Sequence, residues 1–219
     1  IPTADSDADW VDVDAEKAAK VKKLEVLFII FILAITFGAR LYKIDRPIAD
    51  WHSWRQADTA SVSRIYLDEG INVLLPRYYD ISRIQTGILN PMGLRMVEFP
   101  IYNVIQAMLE KNFHLTSLPH VEFDKNLLKQ KKNPIIISSI DADSFTVWGR
   151  LVNITASLFT ALFLYFIGKK YITEWGGILA AFFYLFIPYN IFFTRVILPE
   201  PLGVMFLVGS IYFFSKYIE

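Results

Sequence analysis

Four long apolar runs dominate the pattern of hydrophobic and polar positions along this chain. The first follows a group of lysines and predicts a transmembrane helix over residues 24–43, long enough to cross a hydrocarbon core of roughly 30 Å. The other three have the length that a tilted span requires. They predict transmembrane helices over residues 145–168, 177–193 and 197–215.

Residues 44–144, between the first two runs, mix proline, glycine, asparagine and charged residues. A region of this length predicts an ordered domain, because long structureless loops are uncommon in compact proteins. Ser53 and Gln56 fit a capping box, which predicts a helix near residues 54–69 that a glycine terminates. Asp58 then lies on one face of this helix.

Two further elements are predicted in the same region. A helix near residues 100–112 would begin at a proline and carry an apolar stripe suited to a membrane surface or to another helix. The stripe consists of Ile101, Ile105, Met108 and Leu109. A β-branched run at residues 135–137 predicts one short strand.

Charged residues beside the apolar runs predict the orientation of the chain. Residues 1–23 form an acidic and then basic arm, which we expect to be flexible up to Ala15 and cytoplasmic, because lysines favour that side. The lysines that follow the second and fourth runs fall on the same side. Residues 44–144 and the turn 194–199 are therefore predicted to face outward together.

Composition supports an α-helical integral membrane protein with four transmembrane helices and a large external loop domain. Hydrophobic residues make up 54% of the 219 positions and fall in blocks, which is atypical of a soluble domain. Lys plus Arg and Asp plus Glu number 22 each, so charge gives no argument for a nucleic-acid partner. The absence of cysteine excludes disulfides and thiolate chemistry. Because the chain begins without methionine and stops directly after an apolar run, we expect it to be part of a longer protein.

Charged residues at the outer ends of the predicted spans are the first candidates for a functional site, because charge at membrane depth is costly unless it is paired or used. They are Arg150, Arg195 and Glu200. Glu200 lies between two prolines that break the start of the fourth helix and leave its carboxylate facing a cavity. The alternative is an acid that the helix dipole stabilises and that pairs with Arg195.

The external region supplies a second group of candidates. Asp58 lies about one turn inside its predicted helix, so capping does not explain it, although a local pair with Arg55 would. Asp50 and His52 have simpler alternatives as a turn residue and an interfacial side chain. Glu98, directly before a Phe-Pro pair, has the alternative of favouring the start of the second helix.

Three other patterns are discounted. Asp141 and Asp143 imitate a DxD metal motif but stand in a polar loop. His114 and His120 have no partner at metal-ligand spacing. A glycosylation sequon at Asn153 lies inside a predicted span.

Three motifs occur in order at residues 50–60 (DWHSWRQADTA), 97–102 (VEFPIY) and 195–200 (RVILPE). Together they resemble the N-terminal half of bacterial and archaeal GT-C membrane glycosyltransferases, nearest to the protein O-mannosyltransferase and aminoarabinose transferase relatives. The predicted topology is similar as well, and the resemblance extends over residues 24–219.

The resemblance implies transfer of a sugar from a polyprenyl-phosphate carrier to a hydroxyl of a protein, lipid or glycan acceptor. Inversion at the anomeric carbon and a site on the external face of a prokaryotic cell membrane are implied too. Proton removal from the acceptor falls to Asp58 or Asp50, and a second acidic role falls to Glu200. Relatives carry an adjacent Asp-Glu pair in the first loop, whereas seven residues separate the two aspartates here, so the choice between them stays open.

We assign the substrate-binding residues by the chemistry of their side chains. A departing lipid phosphate gains negative charge and requires cationic donors. The cationic candidates are His52, Arg55, Arg95, Arg150 and Arg195, and the other predicted substrate-binding residues are Trp54, Gln56 and Glu98. No cofactor follows from the sequence, and a requirement for a divalent metal stays open.

Two alternatives compete with this enzyme. A non-catalytic membrane protein that binds polyprenyl phosphate or scaffolds a complex would share the topology. A transporter half would place its broken helix and its charges near the centre of the bilayer. Here they cluster at one predicted interface, which disfavours the transporter.

Overall fold

The computed structural model describes residues 5–48, 51–82, 87–113, 121–123, 135–137 and 144–218. Within these ranges the chain forms seven helices and a pair of short strands, which confirms the predicted α-helical fold. The helices are α1 (Asp5–Leu41), α2 (Ser53–Glu69), α3 (Ile101–Asn112), α4 (Ser144–Tyr171), α5 (Glu174–Phe186), α6 (Pro188–Phe193) and α7 (Glu200–Tyr217). Strands β1 (Val121–Phe123) and β2 (Ile135–Ile137) pair antiparallel, with Val121 opposite Ile137.

The chain divides into two compact units, Ile1–Ala39 and Arg40–Glu219. The smaller unit contains most of α1. This helix already begins at Asp5, so the arm that we predicted to be flexible is helical where it is described. Aspartates in a first helical turn interact favourably with the helix dipole, and alanine and lysine are good helix formers.

Two of the described helices are long and apolar enough to cross a membrane, namely residues 19–41 of α1 and the whole of α4. The predicted span 177–193 is instead divided between α5 and α6. Pro188 has no backbone N–H and disfavours a helical conformation at Ile187, whose backbone is extended. Helix α7 has 18 residues but carries Glu200 in its first turn and Lys216 in its last.

Helix α4 is central to the larger unit and packs against α3, α5 and α7, while α2 packs on α3. The main hydrophobic cluster joins these helices to the segment before α7. Its buried members are Ala60, Tyr102, Phe145, Val152, Ala156, Ile197 and Leu202. This packing brings the start of α2, the start of α3 and the start of α7 to one end of α4.

Helix α3 turns a polar face inward. Asn103 donates to the Thr59 carbonyl at 2.7 Å, and the Gln106 amide donates to the Phe145 carbonyl at 2.9 Å. Of the predicted apolar stripe, Ile101 and Met108 are exposed, and the other two members pack partly against the main cluster. The buried hydrogen bonds fix α3 against α2 and α4 while apolar side chains face outward.

Candidate active site

The start of α2 differs from the predicted capping box. His52 precedes the helix in a left-handed conformation with φ of 58°, and its side chain makes no capping bond. Gln56 is fully buried; its amide donates to the Trp51 carbonyl at 3.1 Å and its oxygen accepts from the Ile197 N–H at 3.2 Å. The capping box is therefore wrong, because Gln56 is used to join α2 to the segment before α7.

Five of the predicted site residues form one continuous chain of ion pairs. Arg95 Nη1 lies 3.1 Å from Asp58 Oδ2, and Arg95 Nη2 lies 3.9 Å from Glu98 Oε2. Arg55 Nη2 lies 2.9 Å from Glu98 Oε1 and also contacts the carboxylate of Glu200. We call this set, which alternates acid and base from Asp58 to Glu200, the ion-pair chain.

The ion-pair chain replaces two local pairs that the sequence allowed. Asp58 pairs with Arg95 and not with Arg55, which lies three residues before it on the same helix. Glu200 pairs with Arg55 and not with Arg195. Glu200 does stand at the first residue of α7, where the helix dipole stabilises a carboxylate.

Exposure changes along the ion-pair chain. The exposed fraction of the side chain is 11% for Arg95 and 48% for Glu200, so the pairs become more accessible toward α7. Burial raises the pKa of the Asp58 carboxyl, and Asp80 adds to the increase, while the charge and hydrogen bond of Arg95 oppose it. Such partly exposed pairs contribute about 0–1 kcal/mol each to stability, so their alignment is a stronger indication of function than of folding.

Two clefts meet at the Arg55–Glu200 pair. The first, which we call the apolar cleft, has a volume of about 290 Å³ and is lined by Glu98, Phe99, Leu202 and Phe206, among others. The second, the aromatic cleft, has a volume of about 360 Å³. Its lining includes His52, Tyr184, Tyr189, Asn190 and Phe193. Both clefts are lined by Arg55 and Glu200, so this ion pair separates them.

Six of the described predicted site residues line neither cleft, namely Trp54, Gln56, Asp58, Arg95, Arg150 and Arg195. Asp50 lies outside the described residues. Trp54 is 64% exposed. Arg150 is buried and donates to the carbonyls of Ile44 and Arg46, both at 2.6 Å. It therefore supplies hydrogen-bond donors to the backbone directly after α1. Arg195 is half-buried between α6 and α7 and lines neither cleft.

The aromatic cleft also contains residues that the sequence analysis did not select. The Tyr189 and Phe193 rings are tilted to one another with centroids 4.2 Å apart, and the His52 ring lies 6.1 Å from that of Phe193. The Asn190 amide donates to the Tyr184 carbonyl near the end of α5. The signal that could have found them is Pro188, which breaks an apolar run and so turns polar groups toward a cavity.

Metal ligation finds no support in the described part of the chain, where no group of three or more His, Cys, Asp or Glu side chains is placed to hold an ion. The ion-pair chain offers carboxylates and guanidinium groups instead. These groups suit proton transfer and the binding of a phosphate.

Residues 138–219 match the family of dolichyl-phosphate-mannose-protein mannosyltransferases. Over this segment the chain is similar to that family. The predicted GT-C family and the predicted class of enzyme, a glycosyltransferase that depends on a lipid-phosphate sugar, are thereby confirmed. With the two long apolar helices, the family indicates a membrane protein. No curated protein and no solved structure matches the chain.

The family segment includes Arg150, Arg195 and Glu200 but begins at residue 138, after most of the region 44–144. Asp58, Arg95 and the rest of the ion-pair chain before α4 lie outside it. For these residues the geometry, and not the family, is the basis for a role.

Proposed function

We propose that the protein transfers a sugar from a polyprenyl-phosphate carrier to an acceptor hydroxyl, with inversion, on the external face of a prokaryotic cell membrane. The observation that carries this proposal is the position of Arg55, which contacts Glu98 and Glu200 where two clefts meet. A guanidinium group there can hold a phosphate beside a carboxylate that accepts a proton.

In the proposed reaction, the acceptor oxygen attacks the anomeric carbon from the side opposite the phosphate. Its proton passes to a carboxylate as the new C–O bond forms, and the bond from the anomeric carbon to the phosphate oxygen breaks with its electron pair on the phosphate. Arg55 stabilises the charge that the phosphate gains, and Arg95 orients Glu98 beside it. No step requires a group other than the two substrates and these side chains.

The proton acceptor is chosen among Glu200, Asp58 and Asp50. Glu200 lines both clefts, whereas Asp58 lines neither and is held by Arg95. We therefore assign proton transfer first to Glu200. Asp58, whose pKa burial raises, is the alternative base and otherwise orients Arg95.

The two clefts suit the two parts of a lipid-linked sugar. The apolar cleft shares Phe206 with an apolar groove of about 440 Å³ between α4 and α7, and this path suits an isoprenoid chain. The aromatic cleft offers ring faces together with His52 and Asn190, which suit a sugar. The phosphate between them would lie at Arg55.

We further propose four spans, with α5 and α6 together forming the third and α7 the fourth. Lys170 Nζ donates to the Ser215 carbonyl at 2.7 Å, so the lysine ends of α4 and α7 lie on the same side. Lysines favour the cytoplasmic side, which would leave the ion-pair chain outside.

The proposal is tested with the protein in lipid nanodiscs, a polyprenyl-phosphate hexose and a hydroxyl acceptor. We expect sugar transfer with inverted anomeric configuration, measured by NMR of the product. Glu200→Gln should lower kcat by about 10²- to 10⁴-fold, because a general base is lost. The matched control is Glu69→Gln, since Glu69 pairs with Arg77 and lines neither cleft.

Two outcomes would contradict the proposal. Retention of configuration would exclude direct displacement by the acceptor. Tight binding of polyprenyl phosphate without transfer to protein, lipid or glycan acceptors would favour the non-catalytic, carrier-binding alternative.

A further inference from the structure

The segment 194–199, directly before Glu200, is irregular and yet buried. Thr194, Val196, Ile197 and Leu198 have almost no exposed surface, although they belong to neither a helix nor a sheet. Buried backbone groups outside regular structure require other hydrogen-bond partners. Here two distant side chains supply several of them, and a third side chain binds the Thr194 hydroxyl.

Asn153 on α4 makes the central connection. Its amide nitrogen donates to the carbonyl of Val196 at 2.5 Å and to that of Leu198 at 2.6 Å. Leu198 is only two residues before Glu200, so these bonds tie the start of α7 directly to α4. This asparagine occupies the site of the discounted sequon.

Two further side chains hold the same segment from other directions. Gln56 of α2 accepts from the Ile197 N–H at 3.2 Å. Arg40, the first residue of the larger unit, donates through Nε to the Thr194 hydroxyl at 2.8 Å and through Nη2 to the Leu185 carbonyl at 3.0 Å. All three side chains are buried.

We propose that Asn153, Gln56 and Arg40 form a positioning clamp that holds Glu200 between the apolar and aromatic clefts. This inference rests on the proposed function of Glu200. The clamp holds the segment before Glu200, so its members act on the reaction through that residue and are positioning residues.

The hydrogen bonds of Asn153 show that its amide nitrogen is the group that holds the segment. Its Oδ1 atom is buried and finds no donor among the described residues, which costs free energy. An apolar side chain would avoid that cost but would remove the donor that Asn153 supplies to two buried carbonyls. What only asparagine or a similar donor supplies is the pair of bonds to the Val196 and Leu198 carbonyls.

The first test is hydrogen exchange of the protein in nanodiscs, which requires no substrate. Asn153→Leu, or Gln56→Met if the first variant folds poorly, should speed exchange of the peptide that spans residues 194–199. Ser157→Ala is the matched control, because the buried Ser157 hydroxyl donates to Ile154 in its own helix. Unchanged exchange in both clamp variants would overturn the clamp whether or not the protein transfers sugar.

The second test is a double-mutant cycle on sugar transfer. Asn153→Leu should lower kcat on the order of 100-fold with a smaller change in KM, because a displacement of about 1 Å has such an effect. In a Glu200→Gln background the same change should cost less than about threefold, since both act through one carboxylate. Full multiplication of the two effects would overturn positioning through Glu200. Faster exchange with no effect of Glu200→Gln would instead leave the clamp intact and contradict the proposed function of Glu200.

Discussion

Charged side chains lie near both ends of α4, but the contacts that they make differ. At the Ser144 end, the neighbouring ion-pair chain joins three separate segments and borders two clefts. At the Tyr171 end, Lys169 pairs with Glu174 only five residues away, and Lys170 donates to a backbone carbonyl. Charge at the end of a helix is thus not by itself a sign of function.

The packing at the two ends of α4 also differs. At the Tyr171 end, α4 and α5 approach through glycines, and a Cβ on Gly168 would lie 2.8 Å from the Gly177 Cα atom. At the Ser144 end, a Cβ on Gly149 would meet side chains, namely the Gln106 amide at 2.5 Å and the Tyr102 hydroxyl at 2.9 Å. One end is closed by backbone contact, and the other is built from polar side chains that can orient a site.

Of the substitutions that test the difference between the two ends of α4, removal of Arg55 should have the largest effect on sugar transfer. Arg55→Leu leaves Glu98 and Glu200 without their shared partner and deprives the phosphate of a donor. We expect kcat/KM for sugar transfer to fall by about 10²- to 10³-fold. Arg55→Lys should recover only part of this, because lysine is a point charge without the planar fork. Equal activity of the lysine variant and the wild type would exclude a bidentate role.

Alanine in place of the two glycines should separate stability from catalysis. Gly168→Ala forces backbone apart and should lower the free energy of unfolding by about 1–3 kcal/mol, seen as a lower midpoint of thermal unfolding, with KM unchanged. Gly149→Ala displaces Gln106 and Tyr102, which fix α3, and should change KM and kcat as well. If both variants change only thermal stability, the proposed difference between the two ends of α4 is wrong.

Local signals in the sequence were enough to predict the helices of residues 44–144. Helices α2 and α3 begin within one residue of their predicted starts and end at the predicted residues, because the glycine after α2 and the proline before α3 act over a single turn. The interruption of the third apolar run at Pro188 was also a local signal. Hydropathy over the whole run obscured it.

The contacts between distant segments that form the site could not be predicted from the sequence. Gln56 has the correct spacing for a capping box, yet its partner is Ile197, 141 residues away. Arg40, near the end of the first predicted span, is buried and donates to Thr194, 154 residues away. Single-sequence patterns carry no information on which distant segments meet, so the candidates were predicted but their pairing was not.

The pH dependence of Arg95→Gln should distinguish the two described candidate bases. Arg95 opposes the increase that burial causes in the Asp58 pKa, so its removal should raise that pKa further. A base must be deprotonated to act, so if Asp58 is the base, the acid limb of kcat/KM against pH moves to higher pH. An unchanged limb would assign proton transfer to Glu200. Arg77→Gln, which removes the pair with Glu69, serves as the control.

The smallest effect is expected at the Tyr171 end, where Lys169 Nζ lies 3.6 Å from Glu174 Oε1 and both side chains are at least one-third exposed. Such a pair is worth about 0–1 kcal/mol, because water screens it and holding two long side chains costs entropy. Lys169→Met should therefore change the midpoint of thermal unfolding slightly and leave kcat and KM for sugar transfer unchanged. A loss of activity comparable to that of Arg55→Leu would mean that the lysine end of α4 takes part in the reaction, and the distinction between the two ends would then fail.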